Sequence, residues 1–425
     1  MSTESKEQAT KDHAARSAGD TAGKITDEGI ERMKARMGVE IPQLTPFNEY
    51  ATIDTIRHFA FGYGDDNPLF SDPKYGEKTK WRSVIAPPSF IVTTGMSEVK
   101  EIPPEVRARG AHALAGVHEF FSGDEWEWFR PVFPGDRLTK RKALRDVWPK
   151  ESSKFTGGRS VLIRYRTDWF NQRGELVAMY WETYVRAERQ AAASQKKYFD
   201  IKRPYYDEAT VKKIDEMYEN EYRRGAEPRY WEDVKIGEEL PTIVKGALKT
   251  TDLITWCRGW GAGVYAFKLA YKHRKRHPKF YSLNDWGYPD VVERVHWDDG
   301  WAQKIGNPFA YDFGKMRNAW MCHFLTNWMG DDGWLWKMSD QFRSFDYYGD
   351  TTWVKGRVTD KKITEDGRCT VEVDLGCENQ RGTVTAPGHA VLVLPSRQRG
   401  PVQLPPPPKA VEGFRPAPEQ TTEEE

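Results

Sequence analysis

The tetrapeptide Asn-Gln-Arg-Gly occurs twice, at residues 171–174 and again at 379–382, and its surroundings recur in the same order. Each copy follows a run with strand-like alternation, Val161 to Phe170 in one case and Thr370 to Leu375 in the other. A second such run follows each copy, Leu176 to Trp181 and His389 to Leu394. Polar residues closing on a glycine between two alternating runs predict a β-hairpin. Upstream of each hairpin a Gly-Asp pair opens a further strand, Gly135-Asp136 after Arg130 to Pro134, and Gly349-Asp350 after Phe345 to Tyr348. Ordered recurrence of several short features predicts two copies of one structural unit. A length of 425 residues agrees, since a single hydrophobic core stops growing well before that size.

Each unit carries one helix candidate ahead of its strands. In the first it is Ser89 to Met96, started by Pro87-Pro88, where proline at a helix start sacrifices no hydrogen bond. In the second it is Lys315 to Trp328, with Met316, Trp320, Phe324, Leu325 and Trp328 at three- and four-residue steps. One helix laid on an antiparallel sheet is a two-layer α+β arrangement. Between the units, Tyr205 to Arg224 combines helical spacing with many charges and predicts a solvated linker helix. The polar first residues and the Pro405-to-Pro408 run with its acidic end predict mobile tails.

Charge and cysteine usage remove whole classes of function. Lys plus Arg (64) and Asp plus Glu (63) nearly cancel, which is the wrong balance for a nucleic-acid binder. Cys257, Cys322, Cys369 and Cys377 have neither finger nor CxxC spacing, and reduced structural thiols are expected. No acidic pair, Asp298-Asp299 or Asp331-Asp332, sits in a set of ligands at metal spacing, so no metal is expected. The N-terminus has no apolar signal core and no long uncharged apolar run occurs; a cytoplasmic protein that neither crosses nor binds a membrane is expected. The 17 Trp, 19 Tyr and 20 Phe need large apolar spaces, either thick cores or the walls of a pocket.

The chemistry concentrates in one motif. Gly64-Asp65-Asp66-Asn67-Pro68-Leu69-Phe70-Ser71-Asp72 resembles the signature of MaoC-like, R-specific enoyl-CoA hydratases, which runs Gly-Asp-x-Asn-Pro-Leu-His-x-Asp. Phe70 stands where that family has its histidine, and a phenyl ring exchanges no protons. The second unit is complementary. His296, Asp298, Ala302 and Gly306 keep the family's spacing and fall opposite Phe70, Asp72, Gly76 and Lys80. The family's acid lies five residues before its histidine, whereas Asp290 lies six before His296, so Glu293, Asp285 and Asp65 remain alternatives for that partner.

The resemblance implies a tandem double hotdog, each unit a long central helix wrapped by a curled antiparallel sheet. Its parts would be a tail over 1–30, a degenerate unit over 31–189, a linker over 190–228, a catalytic unit over 229–398 and a tail over 399–425. It also implies a hydro-lyase working on acyl-CoA thioesters, hydrating a 2-enoyl-CoA or dehydrating a 3-hydroxyacyl-CoA. His296 and Asp290 would be catalytic, Asp298 would brace the motif, and no cofactor beyond the substrate's own CoA is needed. Histidine titrates near neutrality and serves both as base toward water and as acid toward C2. The thioester oxygen needs a donor, and an N–H at a helix N-terminus suits it. Gly314 offers one, whereas Pro87-Pro88 in the first unit has none. Arg317, and the basic run from Lys272 to Lys279, are candidate CoA contacts. The aromatic surroundings, Trp297, Trp301, Trp320 and Trp328, favour a bulky acyl group. By analogy with the family a homodimer is expected. Two other readings stay open on the same fold: a thioesterase, and an acyl-thioester-binding subunit without catalysis.

Overall fold

The computed structural model describes residues 23–152, 158–188, 199–261 and 263–408. Four long strands form the first half: β1 (His118–Trp128), β2 (Thr139–Lys150), β3 (Ser160–Phe170) and β4 (Leu176–Ala187). The second half has the short strands β5 (Ile243–Lys245), β6 (Tyr281–Leu283) and β7 (Pro289–Val291). It also has the long strands β8 (Trp334–Gln341), β9 (Thr352–Ile363), β10 (Cys369–Asn379) and β11 (Val384–Val393). Nine strands make one sheet in the order β2-β3-β4-β1-β8-β11-β10-β9-β5, and β6 and β7 pair separately. The halves join where β1 runs antiparallel to β8, Gly123 facing Gln341 and Glu127 facing Lys337.

The repeated tetrapeptide builds the same turn twice. The Asn171 carboxamide oxygen accepts from the backbone N–H groups of Arg173 and Glu175, and that of Asn379 accepts from Arg381 and Thr383. Gly174 (φ 74°) and Gly382 (φ 72°) complete the turns in the left-handed region, where a β-carbon would be strained. The Gly-Asp pair belongs to the same device. Gln172 donates to Asp136 at 2.9 Å and Gln380 donates to Asp350 at 2.6 Å, so each turn clasps the start of a neighbouring strand.

The helices differ between halves. In the second, Gly314–Met329 is a 16-residue helix buried continuously from Met316 to Met329. It lies against β8, β9 and β10 and also touches β1. Side chains such as Phe324 and Leu325, at 0–1% exposure, each contribute about 1.5–3 kcal/mol of apolar burial. Among the described residues the first half has no counterpart of that length. In place of the helix expected over Ser89–Met96 there is a six-residue 3-10 turn, Pro88–Thr93. The prolines do start a turn, but Ile91, Val92, Thr93 and Thr94 are a β-branched run that loses side-chain freedom in a helix. Gly95 (φ 95°) then leaves the helical region.

Other boundaries also shift. A helix capped by Thr26, Asp27–Lys34, begins inside the stretch read as a tail. The linker helix covers Glu208–Glu219, capped by Asp207, with Ile214 as its buried residue. Past 399 the chain still packs, Val402 and Leu404 lying against the core. The remaining tail readings, 1–22 and 409–425, lie outside the described residues, as do residues 189–198 at the start of the linker.

Candidate active site

His296 ends a 3-10 turn, Val292–His296, immediately after β7. Its ring lies face to face with Phe313, centroids 3.7 Å apart, and Tyr311 meets it edge-on at 5.1 Å. Nδ1 is 2.9 Å from the Tyr311 carbonyl oxygen. A carbonyl only accepts, so Nδ1 carries the hydrogen and the neutral ring presents its lone pair at Nε2. Burial pushes the imidazolium pKa down to about 4, against the opposing pull of the Tyr311 and Asp312 backbone. The ring is therefore a neutral base at pH 7.

The motif around it is built as the spacing implies. Asp298 caps the Asp299–Lys304 helix by accepting from the Trp301 N–H, and its other oxygen lies 3.3 Å from Arg294 Nε. Ala302 is fully buried, and its carbonyl accepts from the Asn307 N–H just past Gly306. Gly314 opens the long helix two residues beyond the carbonyl-bearing segment that holds His296. Phe313 at the N-cap supplies no side-chain acceptor to the helix's first turn. A β-carbon on Gly314 would come within 2.8 Å of Phe121 and 3.2 Å of Phe342, so side chains from both halves close on this point.

Two expected contacts are not formed. Asp290 accepts from the Val291 N–H at 2.7 Å, within β7, and among the described residues no hydrogen bond joins it to His296. A carboxylate turned back onto its own strand is engaged locally. Of the alternatives, Asp285 pairs with Lys304, and Asp65 accepts from Tyr63 and the Asn67 N–H. Glu293 alone keeps a buried oxygen, Oε2, without a partner, and burial raises its pKa. Arg317 is the second correction. It is 2% exposed, 2.7 Å from Asp312, 3.8 Å from Asp346, and donates to the Ser344 and Thr385 carbonyls. A guanidinium so enclosed holds the base of the long helix and has no face left for a CoA phosphate. The Lys272–Lys279 run, by contrast, lies on the exposed Phe267–Arg276 helix, which buries no residue, and on the turn that follows.

Sequence reasoning missed what the first half's motif does. Asp65 lies 3.5 Å from Nε2 of His323, which projects from the long helix of the other half. Glu221 from the linker is 3.0 Å from the same nitrogen, and Lys245 Nζ is 2.9 Å from Nδ1. Nothing local in the sequence marks His323, because its partners come from three distant segments. Asn67, Phe70, Pro87 and Pro88 line a small apolar crevice with Trp81, Trp128 and Trp334. It occupies, in the first half, the place that His296 and Gly314 occupy in the second.

Comparison with known proteins fixes the family. Residues 35–180 match the model of the FAS1-like, dehydratase domain region. The UPF0336 protein Franean1_6066 of Parafrankia sp. (strain EAN1pec) is 32% identical over 124 residues, 29% of this chain and 74% of that one. The chain belongs to the MaoC-like hotdog family. Another member, a probable enoyl-CoA hydratase alpha subunit of Thermomonospora curvata, is 27% identical over 158 residues, 35% of this chain. The chain thus spans about half (48%) of that relative's length. A solved MaoC-like dehydratase superimposes with a TM-score of 0.57 at 18% identity, covering 85% of this chain and 99% of that one. The fold is accordingly a double hotdog, and a hydratase or dehydratase family is the setting of the site. The family match falls on the half that carries Phe70, not on the half that carries His296. Among the described residues no helix is long and apolar enough to cross a membrane.

Proposed function

We infer that this chain is a hydro-lyase acting on acyl-CoA thioesters, adding water to a 2-enoyl-CoA and removing it in reverse. One observation carries the reading: Nδ1 of His296 is committed to the Tyr311 carbonyl, which leaves Nε2 its lone pair on a ring stacked against Phe313, the residue that precedes the long helix. Water gives its proton to Nε2 as its oxygen bonds to C3, and the imidazolium returns a proton to C2. The negative charge that gathers on the thioester oxygen between these steps is met by the N–H groups at Gly314, aligned with the helix dipole. Glu293, whose buried Oε2 has no partner, is the carboxylate among the alternatives left free to orient the water in place of Asp290. The named hydratase among the relatives supports the reaction class.

The test is loss of the conjugated enoyl-thioester absorbance with wild type and with His296→Gln, which keeps the size and a donor but cannot shuttle protons. A fall of roughly 10²–10⁴-fold in turnover is expected. Activity retained in His296→Gln overturns the assignment, and free thiol released from an acyl-CoA identifies a thioesterase instead. For the wild type, kcat/KM in the hydration direction stays level as pH falls from 8 and declines only as His296 takes a second proton near pH 4.

A further inference from the structure

The inner face of the first half departs from that of the second at corresponding positions. Counting from the Gly-Asp pairs, Lys140 and Lys142 of β2 stand where β9 has Val354 and Gly356. Counting from the repeated turns, Tyr165 of β3 stands where β10 has Val373, and Glu182 and Tyr184 of β4 stand where β11 has Ala390 and Leu392. In the second half those positions are a sealed apolar floor beneath the long helix, with Val354, Val373, Ala390 and Leu392 fully buried. In the first half the short Pro88–Thr93 turn does not reach over them.

Three ammonium groups converge there. Lys142 and Lys315 both bond Glu182, to which Tyr184 donates at 3.1 Å. Lys315 also donates to the Tyr180 oxygen at 2.9 Å. Lys140 is 6% exposed, and its ammonium has no hydrogen-bond or carboxylate partner among the described residues, only the Trp169 ring at 6.0 Å. Gly95 makes room for its stem, since a β-carbon there would lie 2.9 Å from Lys140 Cδ. Burial first, then Lys142 and, more weakly, Lys315, lower its pKa to about 7, against the opposing pull of the Glu182 carboxylate. Its stem is buried, but Nζ is not among the buried unpartnered atoms, so the ammonium still reaches solvent and an anion has access to it. Glu182 is already shared by two lysines.

We propose that Lys140, Lys142 and Lys315 form a carboxylate-binding crevice on the inner face of the first half, taking the anionic far end of the substrate's acyl chain. The crevice adjoins the site because Lys315 directly follows Gly314, α-carbons about 3.8 Å apart. Phe121 lies against both, under the missing β-carbon of Gly314 and 5.0 Å from the Lys315 ammonium. The carboxylate is favoured over CoA phosphate by size: the Lys142 and Lys315 side chains are only 29% and 17% exposed, and a chain-end carboxylate is narrower than a phosphate borne on a nucleotide. That the carboxylate rides on an acyl chain rests on the hydro-lyase reading; the anion site does not.

The experiment titrates the full chain calorimetrically with glutarate and, separately, with inorganic phosphate, using wild type, Lys140→Met and Lys140→Gln. Urea midpoints accompany the titrations; removing a charge that has no hydrogen-bond partner is expected to leave stability equal or higher. Glutarate is expected to bind wild type, with at least a tenfold loss in both variants. No glutarate binding, or wild-type binding in folded variants, overturns the crevice, and phosphate bound more tightly than glutarate overturns the carboxylate assignment. Length-matched 2-enoyl-CoAs ending in carboxylate or methyl form the second arm. Their kcat/KM ratio is expected to favour the carboxylate in wild type and to fall at least tenfold in Lys140→Met. Turnover of both without preference overturns the acyl-end assignment. If neither is turned over, the hydro-lyase reading fails while the glutarate titration still decides the crevice.

Discussion

Withdrawing His296 from water lowers the ring's affinity for a second proton, by more than the Tyr311 and Asp312 backbone restores, and that has a thermodynamic consequence. In the unfolded chain the ring titrates near 6.5, in the fold near 4. Above pH 6.5 both states are neutral and the group contributes nothing to pH dependence. Between 6.5 and 4 the unfolded state takes a proton that the folded state refuses, so stability falls as pH falls through that window. The loss is roughly 1–3 kcal/mol once partial exposure is allowed for. In urea titrations at pH 7 and pH 4.5, wild type is expected to lose that much more stability than His296→Gln. Equal losses in the two proteins would show that the ring is not held neutral. At this scale the sequence was informative about where His296, Asp298 and Gly314 stand, and about the cap that Asp298 forms, because these follow from short spacing. It was silent on Asp290, because whether a carboxylate faces its own strand or a histidine six residues on depends on a backbone turn that spacing does not encode.

The hairpins show why some elements are legible and others are not. Asn-Gln-Arg-Gly carries its own instructions: the asparagine bonds its neighbours' N–H groups, the glycine supplies the positive φ, and the glutamine reaches the aspartate of the Gly-Asp pair. The two clasps differ in one respect that is testable. Asp350 is held by Arg381 through both carboxylate oxygens as well as by Gln380. Asp136 has Gln172 and the Phe133 N–H. Removing Gln172 strips the buried Asp136 carboxylate of its one side-chain donor among the described residues, whereas Asp350 keeps a charged one. Gln172→Ala is therefore expected to cost about 1–2 kcal/mol, and Gln380→Ala less, in urea unfolding. A larger loss from Gln380→Ala would contradict this account. The short turn at Pro88–Thr93 was harder to read, since prolines announce where a helix starts and nothing as distinct announces that β-branched residues will stop it after six. Lys140 and Lys142 did carry a signal: charge at inward positions of a strand, opposite valine and glycine in the sister half.

Across the whole molecule, two sequence copies have become one cooperative object, and none of the contacts that do this is local. The sheet is continuous through β1 and β8, where Gly123 allows the Asp340 carbonyl to approach to a distance that a β-carbon would forbid. On the other face the Ile53–Gly62 and Thr250–Trp260 helices cross at glycine, a β-carbon on Gly62 falling 3.3 Å from the Gly259 α-carbon. The main hydrophobic cluster draws on both halves together, Phe59, Phe90 and Trp126 with Trp256, Phe324 and Val373. Below that, Asp65 of one half and His323 of the other lie within one buried polar cluster. Neither half can open without breaking sheet, core and polar contacts at once, so unfolding of one exposes the floor of the other. Differential scanning calorimetry is expected to give a single transition whose van't Hoff and calorimetric enthalpies agree, despite a length at which separate domains usually melt apart. Gly259→Leu, which forces the crossing helices apart through His58 and Gly62, is expected to lower that single transition rather than split it. Two resolved transitions in the wild type would mean that the halves are neighbours only, and that the N–H groups at Gly314 depend on the second half alone.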